Sequence, residues 1–309
     1  MKDKVIVFMH GIDIDGYGCA VLAKLAYSNP EIVYVGNNEL DDLLLERWES
    51  GELSGYDKVY VTDHCPSESL CQKIDELPEY KELKAKLKVL DHHKDRIKGD
   101  YPFVTLEVEN KYGAFCGTEL FCKDLLEQGL LKLTPAIDDF VEFTRIYDVE
   151  WSNPEFEKAD KLNNLALVLG REEYVECMTR KLLNNKMFTL SDEENNLIKR
   201  FLEEYNRKLK EYVSKVQVVD VDGVKAGYVV SEQLYKNNII KELRNLPIAN
   251  EIKFLMIRFT DSDSVSLRSV DSDFDVSAVA KVYGGGGHPF AAGFKTANLP
   301  KELLELEQE

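Results

Sequence analysis

An α/β fold in two domains is what this sequence predicts, and three observations carry it. Short apolar runs of strand length alternate with helically periodic stretches through the first half of the chain. Several of those runs stop abruptly at an aspartate or a histidine. After residue 215 the pattern changes to closely spaced strand-like runs broken by turn signals. Strands alternating with helices argue a parallel sheet covered on both faces. The polar residues that follow parallel strands then gather at one sheet edge, where open α/β sheets bind ligands.

In order, residues 5–9 read as a first strand, 10–18 as a loop and 19–27 as a helix supported by the spacing of Val21, Leu22, Leu25 and Ala26. A second strand over 31–35 precedes a helix over 40–48. The third strand, 58–62, ends at Asp63-His64, and the helix over 67–77 takes Ser67 or Ser69 as its cap. The fourth strand, 87–90, runs into Asp91-His92-His93. Helices are expected over 113–128, 135–147, 161–169 and 172–183, the second of them delivering Asp148. Residues 191–215 form a long charged helix, opened by a Ser191/Glu194 capping box, that reads as a connector. Strands over 216–221 and 224–230 flank Asp222-Gly223, a hairpin signal. Strands over 252–259 and 264–270, a helix over 274–282 and a glycine run complete a smaller α/β domain. The expected division is therefore 1–190, 191–215 and 216–309.

The 309 residues suffice for two ordinary domains, and 44% apolar with 31% charged residues is a globular composition. No run approaches the ~20 apolar residues of a membrane helix. The first apolar core is too short for a signal peptide, so a cytoplasmic location and no membrane partner are expected. Six cysteines without a C-x-x-C pair read as reduced, buried thiols. A formal charge of −17, from 39 basic and 56 acidic residues, excludes the basic footprint of a duplex-DNA binder. A phosphorylated partner should be short, or be drawn by local cations or bound metals.

All five histidines (His10, His64, His92, His93 and His288) stand beside aspartates or glycines in short loops, a distribution suited to chemistry. His10, Asp13 and Asp15 follow the first strand. In an extended loop the two aspartates share a face, and each can grip a different ion. Asp63, Asp91, His92 and Asp148 complete an oxygen and nitrogen donor set. Without thiolate, that set suits manganese or a similar divalent ion better than structural zinc. With one carboxylate shared, it can hold two ions ~3.5–4 Å apart, the arrangement used for displacement at phosphorus. In the second domain Ser266 and Arg268 share one strand face, and arginine can fork onto phosphate. Gly285, Gly286 and Gly287, ahead of His288, offer bare backbone for close approach to a substrate. Asp271–Asp275 suggests a calcium loop, but Val276 and Val282 stand where its glycine and glutamate belong.

These motifs, His10…Asp13-Ile14-Asp15, Asp63, Asp91-His92-His93 and Asp148, resemble the four motifs of the DHH phosphoesterase superfamily. Ser266-Leu267-Arg268-Ser269 and the glycine run before His288 resemble its DHH-associated C-terminal domain of the GGGH type. The resemblance spans essentially the whole chain. It implies a Rossmann-like catalytic domain and a substrate-binding domain with the substrate between them, and it suggests a homodimer. His10, Asp13 and Asp63 would hold one metal; Asp15, Asp63, His92 and Asp148 the other, with Asp63 bridging. His93 would lie close to the scissile phosphate, and Asp91 would orient a neighbouring histidine. The implied function is a manganese phosphodiesterase, with magnesium or cobalt as substitutes, that cleaves short single-stranded oligonucleotides or dinucleotides to nucleoside monophosphates. Phosphatase action on 3′-phosphoadenosine 5′-phosphate, cyclic-dinucleotide hydrolysis and a non-catalytic nucleotide sensor are the alternatives. Two departures stand out: many relatives have one residue more between His10 and Asp13, and Val-Glu-Trp follows Asp148 where Thr-Gly is common.

Overall fold

The computed structural model describes residues 3–36, 38–94, 96–111, 113–184, 186–300 and 303, so the end of the expected 216–309 domain lies outside the described residues. The chain divides into two compact units, Met1–Phe201 and Leu202–Glu309.

In the first unit, strands β1 (Val5–His10), β2 (Glu31–Val35), β3 (Lys58–Thr62), β4 (Leu87–Asp91) and β5 (Val104–Leu106) form a wholly parallel sheet. Its order is β2-β1-β3-β4-β5. β5 has no counterpart in the sequence reading, because three residues are too few to show an alternation. Buried side chains alternate through the central strands. Ile6, Phe8, Val59, Val61 and Val89 pack beneath α2 (Leu40–Glu49), α3 (Glu68–Glu76) and α4 (Lys81–Lys86). Val5, Val7, Met9, Tyr60 and Leu90, at the intervening positions, are equally buried. α1 (Ile14–Ala26) and α5 (Gly117–Glu127) pack against these strands as well. Burial at both parities is what a parallel sheet between helix layers requires. The chain leaves β1 for one side of the sheet and returns as β3 on the other. The crevice at their carboxyl ends is thus the topological switch point.

Boundaries differ from the sequence reading beside the site. The expected loop 10–18 is instead the end of β1, a short turn, and a helix that already begins at Ile14. Asp13 is its N-cap, with Oδ1 accepting from Gly16 N at 3.4 Å. A capping carboxylate and a following glycine serve a helix start as well as a turn, and here the helix wins. The helix expected from 113 begins only at Gly117. Gly113–Ala114 pairs as strand β7 with β6 (Glu109–Asn110).

Helices α6 (Pro135–Val149), α7 (Phe156–Leu169) and α8 (Arg171–Asn184) follow. α9 (Asp192–Ser214) opens with the reciprocal Ser191–Glu194 cap. Lys181 of α8 pairs with Glu194 at 2.8 Å, whereas Leu209 belongs to the apolar core of the second unit.

That second unit contains β8 (Gln217–Val221), β9 (Val224–Ser231), α10 (Lys236–Leu243), β10 (Phe254–Phe259), β11 (Ser264–Ser269), α11 (Val276–Val282), β12 (Gly286–His288) and β13 (Ala291–Lys295). Its sheet runs β12-β13-β11-β10-β9-β8, with only β9 and β10 parallel. Asp222 (φ 52°) and Gly223 (φ 82°) make the tight β8–β9 turn that the Asp-Gly pair predicts. Val265 and Leu267 face one apolar core together with Val276 and Ala280 of α11. Strand alternation puts Ser266 and Arg268 on the opposite face. Among the described residues no helix is long and apolar enough to cross a membrane.

Candidate functional site

The parallel sheet brings three strand ends to one edge: His10 closes β1, Asp63 follows β3 and Asp91 closes β4. Asp63 adopts φ 52°, a left-handed conformation uncommon for a non-glycine residue, while its N–H still donates to Leu90 O at 3.0 Å. Its side chain lies between two imidazoles. Oδ2 is 3.8 Å from His10 Nδ1, and Oδ1 is 3.3 Å from His92 Nε2. His10 Nδ1 also stands 3.3 Å from Asp13 Oδ2. His92 Nε2 is 3.5 Å from both Asp15 Oδ2 and Asp148 Oδ2. Ligating atoms of His10, Asp13 and Asp63 lie within 4.8 Å of one another, as do those of Asp15, His92 and Asp148.

Two helices complete this arrangement. α5 points its N-terminus at Asp15: Gly117 N donates to Oδ2 at 2.6 Å and Thr118 N to Oδ1 at 2.7 Å. The Thr118 hydroxyl adds a bond to Asp15 O at 2.6 Å. α6 carries Asp148 in its last turn. Arg145 braces that turn by pairing with Glu142 and Glu150, at 2.8 and 2.9 Å, and by donating to Ala114 O at 3.3 Å.

The electrostatics are those of a cluster built for cations. Burial, then the charges of Asp15, Asp13, Asp148 and Asp91, push the Asp63 carboxyl well above its usual range. Burial, then Asp15 and Asp13, push Asp148 up to about 7. Burial also raises Asp13, but contact with His10 and the Gly16 amide outweighs it and leaves that carboxyl below its ordinary value. His92 is lowered, chiefly by burial. Asp63 Oδ2 and His92 Nε2 are buried yet have no hydrogen-bond partner among the described residues. Orphaned atoms of this kind, set among crowded carboxylates, fit divalent cations.

Asp91 has a different part. Its Oδ1 accepts from His92 N at 2.9 Å, His93 N at 3.4 Å and His93 Nδ1–H at 2.8 Å. That oxygen is saturated by N–H donors, and the bond leaves Nε2 as the outward end of the His93 ring. The bond to Asp91 is the main reason the His93 imidazole sits above its ordinary pKa. His64 is neutral and structural in its contacts: Nε2–H donates to Gly36 O at 3.3 Å, Nδ1 accepts from Cys65 N at 3.0 Å, and burial lowers its pKa. Its ring meets His10 edge-on at 5.9 Å.

In the second unit, Ser266 is buried and Arg268 half-buried, with Nη1 donating to Leu267 O at 3.1 Å. Burial lowers the Arg268 pKa, and it lowers that of half-buried Lys236 too, with Arg268 adding repulsion. Lys236 is a cation the sequence reading missed; one lysine at a helix start, among 39 basic residues, carries no local signal. Two glycines of the run are also required by packing. A Cβ on Gly285 would lie 2.0 Å from Gly293 O, and one on Gly287 2.5 Å from Ala292 Cα, whereas Gly286 faces open space. His288 is exposed at the end of β12.

No family model matches the chain. It is 30% identical over 305 residues to oligoribonuclease NrnB of Bacillus subtilis, covering 96% of this chain and 74% of that protein. Among solved structures, the pGpG-specific phosphodiesterase PggH of Vibrio cholerae aligns with a TM-score of 0.53 at 14% identity, over 99% of this chain and 97% of that one, a likeness of fold. Sequence identity across nearly the whole chain, with the Asp91-His92-His93 triplet at the switch point of its parallel sheet, makes this protein a member of the DHH phosphoesterase superfamily and a hydrolase of phosphoesters.

Proposed function

We propose that the chain is a nano-RNase: it hydrolyses the phosphodiester bonds of very short oligonucleotides to nucleoside monophosphates, using two divalent ions, manganese by preference. The observation that carries this reading is the Asp63 carboxylate, with one oxygen toward His10 and the other toward His92. His10, Asp13 and Asp63 would hold one ion, and Asp15, Asp63, His92 and Asp148 the second. When bound, such a pair activates water and neutralises charge on the phosphate.

The protein's own groups supply the rest. His93, whose protonated form Asp91 favours, would offer Nε2–H to a phosphate oxygen and so favour the charge that builds as the bond breaks. Asp15 is held in place by two amides of α5, one on each carboxylate oxygen. Arg268 and Ser266, joined by Lys236, would take the terminal phosphate of the substrate, with Gly285, Gly286, Gly287 and His288 alongside. The oligoribonuclease relative supports an oligonucleotide substrate. The charge of −17 supports a short one, since a long polyanion is repelled over its whole length.

The test is hydrolysis of 5′-phosphorylated di-, penta- and 24-mers, beside cyclic di-AMP and 3′-phosphoadenosine 5′-phosphate, with manganese, magnesium or cobalt. Preference for the dimer is expected. Activity confined to the cyclic or 3′-phosphate compound would keep the metal centre and replace the substrate.

A further inference from the structure

Trp151 is 76% exposed, the highest value among the large apolar side chains described. Tryptophan is usually well buried, and leaving so large a ring in water forgoes a favourable burial. The ring is not loose. Its Nε1–H donates to Tyr147 O at 3.0 Å, the carbonyl of the peptide that links Tyr147 to Asp148. The indole edge is therefore fixed one peptide away from a carboxylate of the metal cluster. Tyr147 is itself engaged, lying parallel to Phe156 with centroids 6.0 Å apart and planes 11° from each other. No aromatic ring among the described residues stacks on the indole, so its faces are open. Ile12, between His10 and Asp13 in the loop that follows β1, is also 61% exposed.

We propose that Trp151 is a stacking platform for a nucleobase of the oligonucleotide cleaved at the His10–Asp148 centre. This rests on the oligonucleotide reading above and adds to it the residue that recognises the base. A fixed, water-facing indole next to a phosphodiester-cleaving cluster meets the base attached to that phosphodiester. Every base has a π-face, so the contact gives affinity without sequence preference. The chain has only two tryptophans, and the other, Trp48, packs half-buried against Tyr80.

The experiment compares Trp151→Ala and Trp151→Phe with the parent on a 5′-phosphorylated dinucleotide and on bis(p-nitrophenyl) phosphate, a diester without a base. The ratio of kcat/KM for the dinucleotide to that for the base-free diester should fall about tenfold or more in the alanine variant, chiefly through KM, and largely recover in the phenylalanine variant. Titration with AMP should quench the tryptophan fluorescence of the parent and leave that of Trp151→Phe unquenched. A ratio kept in Trp151→Ala, or equal quenching in both proteins, overturns the proposal. If the parent cleaves neither ester, the oligonucleotide reading fails, and the fluorescence titration still decides the stacking.

Discussion

Gly117 donates its backbone N–H to Asp15 Oδ2 at 2.6 Å, across 102 residues of sequence. With Thr118 N on the other oxygen, the start of α5 grips both ends of one carboxylate. Helix N-termini favour negative charge, and charge-assisted bonds of this length are strong. The contact requires glycine. A Cβ at residue 117 would stand 2.4 Å from the Cβ of Asp63, so the same residue also lets α5 reach the carboxylate between the two imidazoles.

Gly117→Ala should therefore push α5 away from both aspartates. A misplacement of about 1 Å near reacting groups costs roughly a hundredfold in rate. The folding cost of such overpacking is about 1–3 kcal/mol. Steady-state hydrolysis of a dinucleotide and thermal unfolding read the two effects. A variant as active as the parent would show that the clamp on Asp15 is dispensable.

Asp148→Asn should stabilise the metal-free chain while abolishing activity. The Asp148 carboxyl moves from an ordinary 3.8 to about 7 in the folded protein. Between those values the folded state holds a proton that the unfolded state has released, so stability falls as pH rises through the window. At pH 8, with chelator, asparagine removes that repulsion, and a Tm increase of a few degrees is expected. Added manganese should raise the Tm of the parent more than that of the variant. Thermal scans with and without EDTA measure both. A lower Tm for the variant in chelator would contradict the charge-crowding account.

What the sequence could and could not announce follows from the range of each signal. The apolar runs in Val5–His10 and Lys58–Thr62 are local, and both strands could be read directly. The residues of the metal cluster also stood out, because an apolar run that ends in aspartate or histidine is a local event. Asp15 lies in the first turn of α1 rather than in an extended loop with Asp13, since Asp-Ile-Asp-Gly satisfies turn and helix-cap chemistry alike. The partner of Asp15 could not be read, because its amides lie more than a hundred residues away. Gly285 and Gly287 read as bare backbone for a ligand, and the sequence does not announce that their lack of a side chain is also required by β13. Such packing demands are set by neighbours that a single strand's pattern does not name.

Arg268→Ala should raise the KM for a dinucleotide about tenfold to a hundredfold and weaken the preference for dimers over 24-mers. Arg268→Lys should recover little, because a single ammonium cannot reproduce a two-point grip on phosphate. Lys236→Ala should act in the same direction. The loss in the double variant should differ from the sum of the two, since the two cations influence one another. Strict additivity of the two losses would separate Lys236 from the phosphate-binding role.

Asp91→Asn tests the part assigned to His93. The carboxylate accepts the Nδ1–H of His93 at 2.8 Å and raises the pKa of that imidazole. A histidine with a raised pKa keeps its charge to higher pH and loses it as pH rises through the folded value. If the cation assists the scissile phosphate, activity falls on that alkaline limb. Asparagine accepts the same hydrogen bond without the charge, so the limb should move to lower pH. The rate above neutrality should also drop roughly tenfold to a hundredfold, the usual cost of removing a partner that orients a reacting group. A kcat/KM profile from pH 5 to 9 on the dinucleotide measures both effects. His93→Gln, which keeps a donor but cannot titrate, should lack the limb altogether. A limb of unchanged position in Asp91→Asn would mean that another group titrates there and that Asp91 serves only to hold the turn after β4.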